Sequence, residues 1–175
     1  MRRLRSPAAA LAALALLLAP GCGYRLAGTG SLLPPHVKTV HIPYFENETP
    51  RFELEQRLTE HVQREFTVRA KLEIENSWSE ADAVLEGTII GFTVIPVGFN
   101  DQTQANRYQV TIQMRASLLD NKTHNALWES QSFTFRSEYE SPESITDYYN
   151  QEIDAIEDIA ANFAETLVAT ITQGF

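Results

Sequence analysis

The chain has 175 residues, 43% of them hydrophobic, with 23 acidic against 14 basic side chains and a formal charge of −9. That length suits one compact domain with a core of its own. So acidic a balance excludes a general nucleic-acid binder, because phosphate contacts need clustered Lys and Arg.

Met1-Arg-Arg-Leu-Arg-Ser-Pro, the alanine/leucine run Ala8 to Ala19 and then Pro20-Gly21-Cys22-Gly23-Tyr24 have the three parts of a secretory signal. The run is too short to span a bilayer, which takes about twenty residues. Cys22 is the only cysteine, so an internal disulfide is impossible. An intermolecular bridge, a reactive thiol or a modified residue remains, and its place directly behind a signal favours modification. The segment resembles a bacterial lipoprotein box, in which the cysteine is acylated and becomes the first mature residue. Ala19 stands where that box usually has Leu. Removal of residues 1–21 takes three arginines with it, leaving 154 residues, 11 basic against 23 acidic, and a charge of −12. One acyl chain anchors only marginally and two or more anchor stably, so the multi-chain modification that the box implies is a sufficient anchor.

Residues 22–36 follow as a lipidated tether: Gly23 to Pro35 holds three glycines and two prolines. The domain is expected over 37–175. Val40, Ile42 and Tyr44 alternate with polar neighbours as a short strand, with Pro43 marking its edge or end. Thr49-Pro50 has the chemistry of a helix start, and Leu54, Leu58, Val62 and Phe66 make the apolar stripe of an amphipathic helix. Val68, Ala70, Leu72 and Ile74 alternate with Arg69, Lys71, Glu73 and Glu75, which predicts a second strand and hence a βαβ unit. Ala83 to Phe99 reads as one long strand bent near its glycines. Tyr108, Val110, Ile112, Met114, Ala116 and Leu118 then fall on one face of the clearest strand in the chain. After a turn at Asp120 to Asn125, Ala126 to Arg136 returns as its hairpin partner. Ser141-Pro142 opens a last helix with apolar positions from Ile145 through Tyr149, Ile153, Ile156, Ala160, Phe163 and Leu167 to Ile171, closed by Gly174. The order β-α-β-β-β-β-α predicts an α+β two-layer sandwich: a mostly antiparallel sheet of four to five strands with both helices on one face.

Motifs for chemistry are lacking. His36, His41, His61 and His124 show no metal-ligand spacing with one another or with Cys22. They read as solvated strand, helix-surface and turn residues, and no nucleophile elbow, zinc motif or phosphate loop occurs. No enzyme, metal or cofactor is expected. Charge distribution says more. Residues 138–175 hold nine acids and no Lys, Arg or His. The polar face of the best strand reads Arg107, Gln109, Thr111, Gln113, Arg115, Ser117, with two positive charges and no negative one. Arg69 and Lys71 on the second strand, and Lys122 and Arg136 in the last hairpin, add to the sheet side. Arg107, Arg115, Arg69, Lys71 and Lys122 are therefore candidate contacts for an anionic or sugar-rich partner; the bland alternative is a solvated sheet face.

Cys22-Gly-Tyr24, Val37-Lys-Thr-Val-His-Ile-Pro-Tyr-Phe-Glu-Asn47, Ala81-Asp-Ala-Val-Leu-Glu-Gly87, Tyr108-Gln-Val-Thr-Ile112 and Ala126-Leu-Trp-Glu129 together resemble the LptE family of lipopolysaccharide-assembly lipoproteins. The resemblance implies an acylated Cys22 and a non-enzymatic protein lipid-anchored to the periplasmic face of the cell outer membrane. It also implies a place inside the β-barrel protein LptD, where the protein helps to assemble the barrel and to hand lipopolysaccharide to the outer leaflet. The family's proposed lipopolysaccharide contacts are basic residues around the loop before the Tyr108 strand. Here that loop, Gly98 to Asn106, has no Lys or Arg, and Arg107 is the nearest. A domain of charge −12 repels an anionic glycolipid unless the sheet face is locally basic or divalent cations bridge. The alternative reading is an outer-membrane lipoprotein that binds and activates a periplasmic cell-wall enzyme.

Overall fold

The computed structural model describes residues 33–70, 72–140 and 145–173. The signal segment, Cys22, most of the tether, Lys71, the Ser141-Pro142 helix start and Gly174 lie outside the described residues. The described elements are β1 (Thr39–His41), β2 (Glu46–Asn47), α1 (Leu54–Glu65), a π-helical turn (Phe66–Ala70) and β3 (Glu73–Ile74). They continue with β4 (Ala83–Phe99), β5 (Ala105–Asp120), β6 (Ala126–Glu140) and α2 (Ile145–Gln173). This is the expected α+β class, with one refinement: the sheet has six strands and is mixed. Strand order is β3-β1-β4-β5-β6, with β2 also on β4. β1 runs parallel to both neighbours and β2 parallel to β4, while β4, β5 and β6 form an antiparallel meander.

The meander follows the alternation read from sequence. Val110, Ile112, Met114, Ala116 and Leu118 are all buried on one side of β5, against the helices. β4 shifts register between Ile89 and Gly91 and again around Gly98, the expected bends near glycine. Gly87 serves a different end. A Cβ there would lie 2.8–2.9 Å from the Phe45 ring, so only glycine lets that ring reach the strand. Phe45 in turn meets Phe163 of α2 edge-on at 6.1 Å, and Phe133 and Phe135 of β6 meet the same ring at 5.6 and 5.8 Å. One phenylalanine thus joins the N-terminal half to the meander.

The crossover differs from expectation at both ends of α1. Thr49 does not cap the helix. Asn47 Oδ1 accepts from its N–H and its hydroxyl at 3.0 and 2.8 Å, an Asx-type turn, and α1 starts four residues after Pro50, behind Glu53 at φ 67°. At the other end, Val68 to Ala70 is not strand. Phe66 is fully buried as the last rung of the helical stripe, and Thr67 donates back to the Gln63 carbonyl at 3.0 Å. Val68, on the supposed apolar face, is 68% exposed. Only Glu73–Ile74 remains strand, paired with Thr39 and Val40 of the three-residue β1.

Candidate functional site

The outer face of the meander carries the row foreseen on β5, but the neighbouring strands change its electrostatics. Antiparallel register sets Glu140 opposite Arg107, Glu138 opposite Gln109, Arg136 opposite Thr111, Thr134 opposite Gln113 and Glu129 opposite Ser117. On the other side β4 contributes Ile95, Thr93, Gly91, Thr88 and Glu86. Arg107 is paired with Glu138 at 3.4 Å, and Gln109 donates to the same carboxylate at 3.3 Å. Arg115 is held by Glu48 at 2.9 Å. Both ends of the face are therefore neutralised or acidic, and its middle is Thr93, Thr111, Gln113, Thr134 and Arg136. Among the described residues no carboxylate lies within ion-pair distance of exposed Arg136.

The other candidate cations leave this face. Arg69 sits on the π turn and pairs with Glu65 and, at 2.9 Å, with Glu165 of α2. Lys71 is outside the described residues. Lys122 lies in the β5–β6 turn, 2.8 Å from Asp82. That ammonium, joined by the backbone N–H groups of Lys38 and Thr39, holds the Asp82 carboxyl down to about 2. Arg136 is the site residue that the strand pattern does not single out. Its signal is the i,i+2 placement of Arg136, Glu138 and Glu140, which fixes them to one face once the register is known.

The histidines take structural partners. His41 Nδ1 is 2.8 Å from the Glu75 carbonyl, His36 Nε2 is 2.8 Å from Asp120, and His61 Nε2 is 2.7 Å from Glu157. His124 sits in the turn at φ 56°. His61 belongs to a seam between the helices, where Arg51 meets Glu152 at 3.0 Å and Arg57 also binds Glu157. Burial works to raise the Glu157 carboxyl, but hydrogen bonds from His61 and Arg57 outweigh it and hold it below the usual carboxylate range. Among the described residues no group of His, Cys, Asp and Glu could hold a metal, and no helix is long and apolar enough to cross a membrane.

The polar row on the meander, the paired helices on its other side and the short parallel crossover together set the comparison with known proteins. The family model described as LptE, lipopolysaccharide-assembly, matches residues 37–171. The chain belongs to the LptE family. No curated protein is close enough in sequence to be matched. Among solved structures, the chain is similar to lipoprotein B from Nitrosomonas europaea at 13% identity, with a TM-score of 0.57 over 86% of this chain and 90% of that one. A protein of Caulobacter crescentus described among the lipoproteins aligns at 18% identity and TM-score 0.54, over 73% of this chain and 87% of that one. PelC from Paraburkholderia phytofirmans, a dodecamer, aligns at 12% identity and TM-score 0.51 over 83% and 96%. At these identities the likeness is one of fold.

Proposed function

We propose that this LptE-family chain is an outer-membrane lipoprotein, anchored by acyl chains on Cys22. In this reading it plugs and helps assemble the lipopolysaccharide-translocating barrel LptD and assists lipopolysaccharide insertion into the outer leaflet. It acts by binding and not by catalysis. The observation that carries the reading is the family match across nearly all of the described domain. Two features of the surface support it. The meander presents a polar, uncharged centre around Arg136, suited to the hydroxyl-rich and phosphate-bearing head of a glycolipid. Beyond the core, the β4–β5 hairpin carries exposed Ile95 and Phe99 beside a loop whose single charge is Asp101, a surface suited to a protein wall more than to water. Arg107 and Arg115 flank the centre as secondary contacts, which must exchange Glu138 and Glu48 for the ligand.

Depleting the protein tests this. Correctly assembled LptD and surface lipopolysaccharide should both fall, and normal levels of both would sink the proposal. Co-purification from outer membranes should return the barrel; a peptidoglycan synthase in its place would favour the cell-wall alternative.

A further inference from the structure

β1 is too short to hold the front of the domain by its ladder alone. It makes two residue pairs with β3 and two with β4, and the first paired residue is Thr39. Before Thr39 the described backbone gives the sheet one bond, from the Glu73 N–H to the Lys38 carbonyl at 3.0 Å, and side chains add the rest. Asp82 supplies most of them: Oδ2 accepts from the Lys38 N–H at 3.0 Å and from the Thr39 N–H and hydroxyl at 3.3 Å. The Asp82 N–H returns a bond to the Thr39 hydroxyl oxygen at 2.9 Å, and Oδ1 is held by Lys122. Three residues earlier, His36 reaches Asp120, a carboxylate only 3% exposed whose other oxygen accepts from the N–H groups of Lys122 and Thr123. Asn121 ties the same turn to the start of β4, donating its side-chain amide to the Trp78 and Ala81 carbonyls at 2.8 and 2.9 Å. Leu33 packs on the core and Val37 is 6% exposed, so the segment is seated as well as hydrogen-bonded.

We propose that His36, Thr39, Asp82 and Asp120 form a clasp that fixes where the chain enters the domain and thereby sets the working length of the membrane tether. Closed, it holds the chain on the domain from Leu33 onward. Open, it frees residues 33–38 and lengthens the reach by about 20 Å at full extension. The clasp also gives the Ala81-Asp82-Ala83 motif a physical role, since Asp82 is the point at which the start of β1, the start of β4 and the β5–β6 turn are joined. The tether role rests on the lipoprotein reading above; the clasp itself does not.

Hydrogen exchange and trypsin cleavage of the full mature chain test it. In Asp82→Ala the Lys38 and Thr39 amides should exchange on the order of tenfold faster, while the amides of Val110 to Leu118 keep their protection. In His36→Ala trypsin should cut after Lys38 several-fold faster, roughly as expected for one lost charge-assisted bond. His36→Gln, which keeps a donor, should restore the slower rate. Wild-type exchange and cleavage in both variants would overturn the clasp. His36→Ala decides the matter if Asp82→Ala unfolds, because it removes one contact from a side chain 39% exposed. Flotation with phosphatidylethanolamine–phosphatidylglycerol vesicles reports separately on acylation. Failed flotation strikes the tether reading and leaves the exchange result to judge the clasp.

Discussion

The meander and the crossover are built from the same residue types but held by different means. β4, β5 and β6 run 17, 16 and 15 residues and are joined by local hairpins, so each strand is specified by its own alternation and by a neighbour close in sequence. β1, β2 and β3 run three, two and two residues and pair in parallel across a helix. Their ladders are too short to specify anything, and side chains complete them: Asp82 onto Thr39, Thr59 onto the Phe45 N–H at 3.0 Å, and Gln63 onto the Ile42 carbonyl at 2.9 Å. A long strand announces itself by period, whereas a short parallel strand is made by contacts distant in sequence.

Phe163 is where the two regions depend on each other, and its loss should have the largest effect. It is fully buried between Phe45 of the crossover side and Phe133 and Phe135 of the meander. Phe163→Ala should cost about 3–5 kcal/mol, the usual range for a buried aromatic whose cavity cannot collapse. Urea unfolding followed by tryptophan fluorescence measures this. A single shifted transition would show that the regions unfold together; two transitions would split the domain at this ring.

A smaller effect separates the regions by pH. The Asp82 carboxyl lies at about 2, below its ordinary 3.8, so it binds its proton less readily when folded than when unfolded. Its contribution is therefore complete above about pH 4 and disappears as pH falls through 2. The urea midpoint should drop across that window. Asp82→Asn should flatten the drop without abolishing it, because Asp120 and Glu157 are also held below the carboxylate range. An unaltered slope in Asp82→Asn would show that the crossover is not held by this carboxylate.

Legibility follows the same division. Both helices, the β4 bend, the β5 face and the turn at Asp120 to Asn125 can be read from period and turn chemistry. The second strand cannot. Val68, Ala70, Leu72 and Ile74 alternate as a strand would, yet Phe66 closes a helical stripe just before them, and the buried rung prevails over the alternation. The site is half legible. The row from Arg107 to Ser117 lies on the outer face as expected, but its charge depends on which residues of β6 stand opposite, and register is invisible in a single strand. Glu138 and Glu140, ordinary acids in sequence, stand beside Arg107, and Glu138 neutralises it. Arg136, two residues earlier on the same face, has no carboxylate partner among the described residues.

That contrast between paired and unpaired cations yields the finest prediction. Arg115 and Glu48 are each 46% exposed, and such pairs contribute about 0–1 kcal/mol. Arg115→Glu and Arg136→Glu should therefore both leave the unfolding midpoint nearly unchanged. Their effects on glycolipid binding should differ. On the proposed reading, Arg136 would meet an incoming phosphate with no competing carboxylate among the described residues, whereas Arg115 would first have to release Glu48. Titrating purified lipopolysaccharide against the mature chain should show a greater loss of affinity for Arg136→Glu than for Arg115→Glu, and the loss should diminish as salt is raised. Equal losses would mean that the Glu48 pair opens at no cost and the whole row acts as one surface. No loss in either variant would make the outer face a solvated sheet and turn the search for contacts toward the hairpin end at Ile95 and Phe99.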